Sequence, residues 1–241
     1  MNLVSTNDGT NTLYSVQFDE CYHSTNDGAL SETLQKHIIP AFTLVKPKEK
    51  ITILDICYGL GYNTLATLYY CKLHKIDSKI EIISPEFDEE LVRSLIDFEY
   101  PSEFDSLKEI IKELSEKFFY EDWQFKITII IGDAREQLPK LSTKFDIIYQ
   151  DAFSPKKNPA LWSLEYFKLL YKLSSDEVIM TTYSSATPVR MGIWEAGFML
   201  YNPPKSSVRS GTIASKSNLK LETIDMELKL TRNPNAKSLR D

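Results

Sequence analysis

Cysteine is scarce in this chain. Its three residues, Cys21, Cys57 and Cys71, are an odd set without paired spacing. That excludes a disulfide framework and points to a reducing cytoplasm. Histidine is as rare: His23, His37 and His74 have no partners at metal-ligand spacing, so no metal site is expected. No run of about 18 apolar residues exists, so no membrane span is expected. Residues 1–15 lack a basic segment followed by an apolar stretch, which argues against a signal peptide. Eight glycines and eleven prolines in 241 residues exclude a collagenous or low-complexity chain. What remains, with 42% hydrophobic residues, suits a single domain over residues 1–241.

Positive charge is also in deficit, with a net charge of −6. Taken alone this opposes a nucleic-acid role, because phosphate contacts need cations. The distribution is uneven. Residues 202–241 hold eight Lys/Arg against four Asp/Glu, a balance of +4, which leaves −10 on residues 1–201. A basic C-terminal extension on an acidic body can bind RNA locally or simply be solvated.

The pattern of elements is regular. A short strand is predicted at Thr12 to Ser15 after the Asn7-Asp8-Gly9 turn, and a helix from Ala29 to about His37, ending before Pro40. Apolar, β-branched runs predict strands at Ile51–Ile56, Lys79–Ser84, Phe125–Ile131, Phe145–Gln150 and Val178–Tyr183. Helical stretches separate them: from about Asn63, up to about Phe119 with a break near Pro101, and Pro159 to Leu173. A helix at Val189–Glu195 and strands near Phe198–Tyr201 and Gly211–Ser215 complete the series. Such alternation predicts a mainly parallel sheet covered on both faces, with ligands bound outside the carboxyl ends of its strands. The division expected is an N-terminal part over 1–45, a Rossmann-like core over 50–201 and the basic extension over 202–241.

The informative residues fall at those strand ends. The first core strand runs into Asp55-Ile56-Cys57-Tyr58-Gly59-Leu60-Gly61-Tyr62-Asn63. An acid followed by Gly-x-Gly lets backbone approach a ligand closely. Thr64 replaces the third glycine of a dinucleotide fingerprint. Glu86, after the second strand, can accept hydrogen bonds from ribose hydroxyls or cap a helix. Asp133, followed by Ala134, can accept from an adenine amino group or serve as an N-cap. Together these suit S-adenosylmethionine, whose sulfonium needs no pyrophosphate loop. The fourth strand delivers Asp151 to the place where a reacting group would sit.

The segment Asp151-Ala152-Phe153-Ser154-Pro155-Lys156-Lys157-Asn158-Pro159-Ala160-Leu161-Trp162 resembles a motif of the MnmC methyltransferase family, Asp-Gly-Phe-Ala-Pro-Ala-Lys-Asn-Pro-x-x-Trp. Asp55 to Asn63 is similar to that family's Glu-x-Gly-Phe-Gly-Thr-Gly-Leu-Asn loop. Thr182 to Ala186 and Val189-Arg190-x-Gly192 resemble its Thr-Phe-Thr-Ser-Ala-x-x-Val-Arg-x-Gly segment. Tyr22-His23-Ser24 with Gly28 to Glu32 resembles its N-terminal part. The likeness covers about residues 3–200. Cys57 stands where the family has glycine, and Ser207 to Ile213 replaces the late Gly-x-Lys-Arg-Glu-Met signature.

The resemblance implies a class I S-adenosylmethionine-dependent methyltransferase fold: α/β, with a mainly parallel seven-stranded sheet and a small N-terminal strand pair. It implies cytoplasmic methylation of 5-aminomethyl-2-thiouridine at the tRNA wobble position, as in the stand-alone form MnmD. Residues 1–241 offer no room for the family's FAD-dependent half, so no FAD is expected, and separate enzymes would supply the aminomethyl intermediate. Asp151 is the expected catalytic residue. Asp55, Gly59, Gly61, Asn63, Glu86, Asp133 and Ala134 are the expected cofactor contacts. Tyr22, Phe153 and Tyr183 are candidates for stacking on a flipped-out base. Lys156 and Lys157 are candidates for anticodon-loop phosphates, while Trp162 and Trp194 are expected in helix–sheet packing and Glu32 on the surface. Two rival readings share much of this pattern: an aminopropyltransferase resembling spermidine synthase, and a non-catalytic RNA- or cofactor-binding module.

Overall fold

The computed structural model describes residues 2–241. Near the N-terminus β1 (Asn2–Ser5), β2 (Asn11–Ser15) and β3 (Glu20–Cys21) form a small antiparallel sheet. Two strands were expected there. The third is only two residues long, too short for a periodic signal. The Thr6–Thr10 turn ties this sheet to the helix that follows: Asp8 accepts from Ser31 N at 2.9 Å and Thr10 N at 3.1 Å. Burial pushes this carboxyl up, but those bonds and the Thr6 and Thr10 hydroxyls win and hold it at about 2. Gly28 has φ +88°, and a Cβ on it would lie 2.1 Å from Asp8 Cγ.

The first helical segment does not stop before Pro40. It runs as α1 (Ala29–Thr33), a π-helical turn (Leu34–Ile38) and α2 (Ile39–Leu44). Proline cannot donate to a preceding carbonyl, and the helix crosses it by widening for one turn.

The core then alternates: β4 (Lys50–Ile56), α3 (Tyr62–Leu73), β5 (Lys79–Glu86), α4 (Glu89–Ser94), α5 (Lys108–Lys117), β6 (Phe119–Glu121), β7 (Phe125–Ile131), α6 (Ala134–Gln137) and β8 (Phe145–Gln150). It continues through α7 (Leu164–Leu173), β9 (Ser174–Thr182), α8 (Thr187–Glu195), β10 (Met199–Tyr201), β11 (Thr212–Ser215) and α9 (Met226–Arg232). The sheet has eight strands in the order β10-β11-β9-β8-β4-β5-β7-β6. The strand beyond the seven expected is β6, paired antiparallel at one edge. The helix expected over Pro159–Leu173 is split, because Ser163 caps α7 by accepting from Tyr166 N at 3.2 Å.

Period-two alternation divides the core between the faces of the sheet. Ile51 and Ile53 of β4, with Ile147, Tyr149 and Ile179, pack on the α3 side. Leu54 and Ile56, with Ile148, Val178 and Met180, pack under α7 and α8. Trp162 is fully buried there, as expected, but Trp194 is 37% exposed, on the outer side of α8. The segment 202–241 is not a free tail. Its strand β11 lies inside the sheet between β9 and β10, and Leu164 N donates to Leu239 O at 2.8 Å. Among the described residues, no helix is long and apolar enough to cross a membrane.

β4 and β8 are neighbours, yet the chain leaves them towards opposite edges: β5 follows on one side, β9 on the other. Such a switch point opens a crevice at the carboxyl ends of the strands.

Candidate active site

A cavity of about 1080 Å³ opens at that crevice. Its floor comes from the ends of β4, β5, β7 and β8, and its rim includes the β2–β3 turn.

The loop leaving β4 bends through three left-handed residues: Cys57 (φ 65°), Gly59 (φ 54°) and Gly61 (φ 74°). Cys57 therefore adopts a conformation that costs a side-chain-bearing residue roughly 1–2 kcal/mol. Cys57 also lines the cavity, with its thiol pushed well up by burial. A Cβ on Gly59 would meet Tyr22 Cδ1 at 3.2 Å, so the Tyr22 ring lies close over this loop.

Glu86 is the last residue of β5. Its carboxylate accepts from Gly59 N at 2.8 Å and from Asp88 N at 2.9 Å, which ties the second strand end to the glycine loop. Burial pushes its pKa up despite those bonds. Each oxygen keeps a lone pair for a donor in the cavity. Asp133 serves as an N-cap, accepting from Arg135 N at 2.8 Å, and it lines the cavity with Ala134.

Two expected cofactor contacts are displaced. Asp55 is fully buried and does not line the cavity. It points with Ile53 to the α3 side, where it accepts from Thr64 Oγ1 at 2.8 Å and Asn63 Nδ2 at 3.2 Å. Burial pushes its carboxyl up to about 7, against those two bonds, with the Asp151 charge adding to the rise. Gly61 also lies outside the lining, where it starts α3. Both residues shape the wall from behind.

Asp151 follows β8 and is open to the cavity through 19% of its side chain. Asn63 Nδ2 donates to its Oδ2 at 2.9 Å, so one amide bridges Asp55 and Asp151. His37 Nε2 is 3.4 Å from Oδ1. Burial pushes Asp151 up, but the His37 charge, then contacts with His37, His23 and Asn63, outweigh it. The carboxyl stays below its ordinary value.

Beyond Asp151 the wall is aromatic. Phe153 stacks on Phe18 at 4.3 Å and meets Tyr22 at 4.8 Å. Tyr183 donates to Ala152 O at 3.0 Å and sets its edge against Trp162 at 5.6 Å. The Asp151–Trp162 loop is held by Gln150 Nε2 to Leu161 O at 2.8 Å, Trp162 Nε1 to Phe153 O at 2.8 Å and Ser154 N to Glu20 at 2.9 Å. Lys156 and Lys157 lie outside the cavity lining, and Lys157 pairs with Asp19 at 2.7 Å. Glu32 is not a free surface group. It lines the cavity, accepts from Ser24 N at 2.7 Å and pairs with Lys36 at 2.6 Å. Arg190, from the family-like Val-Arg-x-Gly segment, donates to Thr212 Oγ1 at 2.9 Å and Gly211 O at 3.1 Å and anchors the start of β11.

Sequence reasoning passed over His37, Phe18 and Glu20. The π-turn that aims His37 inward has no composition signature. Phe18 and Glu20 reach the site only through the fold of the β2–β3 turn.

The lining tests which cofactor fits. Glu86, Asp88, Asp133 and Asp151 border the cavity, and the cation Lys36 is neutralised by Asp27 and Glu32. Such a surface repels a pyrophosphate and suits a ligand carrying hydroxyl and amino donors and a positive sulfonium. S-Adenosylmethionine matches it, with Glu86, Asp133, Ala134, Gly59 and Asn63 placed to hold it.

A crystal structure from Aquifex aeolicus named MNMC2 superposes with a TM-score of 0.88 and 30% identity, covering 100% of this chain and 78% of the other. The chain belongs to the MnmC-type methyltransferase family. A family profile described as S-adenosyl-L-methionine-dependent methyltransferase matches residues 104–218. An uncharacterized protein of Methanocaldococcus jannaschii is 34% identical over 226 residues, 89% of this chain and 59% of that protein. The tRNA 5-methylaminomethyl-2-thiouridine biosynthesis bifunctional protein MnmC of Pseudomonas entomophila is 28% identical over 217 residues, 79% of this chain and 31% of its own length. The chain thus spans less than two thirds of these two relatives. It is an S-adenosylmethionine-dependent methyltransferase with the class I architecture.

Proposed function

We propose that the protein methylates the 5-aminomethyl group of 5-aminomethyl-2-thiouridine at the tRNA wobble position, giving 5-methylaminomethyl-2-thiouridine. One observation carries this reading. A carboxylate held below its ordinary pKa, Asp151, shares one cavity with Glu86 and Gly59 and with the aromatic residues Phe153, Tyr22 and Tyr183. A flipped-out base needs such a stacking wall, and an amine nucleophile needs such an acceptor. The bound cofactor supplies an electrophilic methyl group. An alkyl amine holds its proton up to a pKa of roughly 10, and only the neutral form has a lone pair. Asp151 accepts the amine N–H, turns the lone pair towards the cofactor side and receives the departing proton. Positioning supplies much of the rate.

In this proposal Lys156 and Lys157 meet anticodon-loop phosphates outside the cavity, and Arg209 is a cation in its lining. Lys157 would exchange its exposed partner Asp19 for phosphate, a small cost because surface ion pairs are weak. Cytoplasmic residence and upstream enzymes that provide the aminomethyl group belong to the same reading. The acids at the mouth, Glu20, Asp27 and Glu32, favour a cationic acceptor and keep a small polyamine as the second reading. Methyl transfer from labelled S-adenosylmethionine to tRNA bearing 5-aminomethyl-2-thiouridine is the expected result. Aminopropyl transfer from decarboxylated S-adenosylmethionine to putrescine, with tRNA unchanged, would establish the alternative. Cofactor binding with neither transfer would leave a binding module.

A further inference from the structure

His37 is fully buried on the π-turn between α1 and α2, and its Nε2 makes no hydrogen bond. Its Nδ1 lies 2.9 Å from the hydroxyl of Thr181, a fully buried residue on β9. That contact fixes the ring, whose edge also packs on Tyr149 at 5.8 Å. The other nitrogen faces Asp151 Oδ1 at 3.4 Å. A hydroxyl can donate or accept, whereas an ionised carboxylate only accepts. A bare Nε2 would set lone pair against lone pair. The repulsion is absent when Nε2 carries a proton, with the Thr181 hydroxyl donating to Nδ1 of a neutral ring or accepting from Nδ1 of a charged one. Asp151 then has a hydrogen bond from Asn63 on Oδ2 and, on Oδ1, a close contact with His37 at 3.4 Å.

We propose that His37 is a positioning residue: with its ring fixed by Thr181, it holds the Asp151 carboxylate as an ionised acceptor aimed into the cavity. This rests on the amine-methylation reading, in which Asp151 takes the amine proton. The neighbours of Asp151 come from every surrounding element. They are His37 on the π-turn, His23 after β3, Asp55 on β4, Cys57 and Asn63 at the glycine loop, and Tyr183 after β9. His23 is lowered by burial and is therefore a weaker source of positive charge. Asp55 opposes ionisation of Asp151 by like charge. His37 is the one neighbour whose ring nitrogen faces Oδ1 directly. A helix without the π-turn would rotate this side chain away, which gives the widened turn a role beyond passing Pro40.

The test reads Asp151 directly, by ¹³C NMR titration of protein labelled at aspartate carboxyls, with the signal assigned by its loss in Asp151→Asn. His37→Phe keeps ring size and removes the donor, and His37→Gln keeps a side-chain N–H. Melting curves and cofactor calorimetry confirm that both are folded. Asp151 is expected to titrate below the ordinary aspartate range in the natural protein. In His37→Phe its midpoint should rise by about one unit or more, the usual effect of removing a close partner that favours the charged form of a buried carboxylate. His37→Gln should recover part of that rise. In single turnover, the rate should fall about tenfold per pH unit on the acid side for the natural protein, since the amine takes one proton. It should fall more steeply in His37→Phe, where Asp151 takes a second. An unmoved Asp151 midpoint in His37→Phe would overturn the proposal. A natural protein inactive on tRNA would overturn the substrate reading, while the titration would still decide the role of His37.

Discussion

At the residue scale the account turns on two carboxylates with different tasks. In the proposed reaction Asp151 offers an ionised oxygen to the amine, while Glu86 already accepts from Gly59 and Asp88. Asp151→Asn keeps shape and removes the proton acceptor. Single-turnover methylation should fall roughly 100-fold or more, with cofactor affinity unchanged by calorimetry. Near-normal turnover would exclude the role. Glu86→Ala removes charge-assisted hydrogen bonds and the tether of the glycine loop. Cofactor binding should weaken by about 1.5–3 kcal/mol, and Glu86→Gln, which still accepts from Gly59 N, should lose less. Unchanged affinity in Glu86→Ala would remove it from the site. That Asp151 and Glu86 border the cavity was legible in the sequence, because the end of a buried parallel strand opens on the crevice by topology. Asp55 was misread for the same reason. Its strand end looks identical in sequence, but its side chain faces α3, where Asn63 and Thr64 occupy both oxygens.

At the element scale, the buried parallel strands announced themselves as β-branched runs, and their mainly parallel arrangement followed from alternation with helices. Elements defined by pairing did not. The two-residue β3 and the edge strand β6 exist because a neighbour offers hydrogen bonds. The π-turn before Pro40 depends on backbone hydrogen bonds that no local pattern records, and the split at Ser163 on a side-chain cap. Strand β11 was expected near Gly211–Ser215, but its place inside the sheet, between β9 and β10, was not. Its approach leaves no space at Gly211, where a Cβ would lie 2.0 Å from the carbonyl oxygen of Thr182. Backbone cannot yield there as a flexible side chain would. Gly211→Ala should lower the melting temperature sharply, with a loss of several kcal/mol expected from overpacking and backbone shift. A melting curve matching that of the natural protein would show that β11 is not held in this position.

At the scale of the whole molecule, the switch point couples stability to the site. Burial pushes the Asp55 carboxyl up to about 7, well above the ordinary aspartate range. The folded state therefore holds its proton over a range where the unfolded chain releases it. The contribution is full below about 4 and is lost as pH rises towards about 7. Asp55→Asn should flatten this part of the profile, so the melting-temperature difference between natural protein and variant should change across pH 4–7. A constant difference would place the Asp55 carboxyl in the ordinary range. The acidic body and the buried dyad of Asp151 and His37 meet at one cavity, and the central claim is that this cavity methylates a wobble-uridine amine. Nucleoside mass spectrometry of tRNA from cells lacking the protein tests that claim most directly. The account expects 5-aminomethyl-2-thiouridine to accumulate and 5-methylaminomethyl-2-thiouridine to disappear, with reversal by the natural protein and not by Asp151→Asn. An unchanged nucleoside profile in the deletion strain would contradict it.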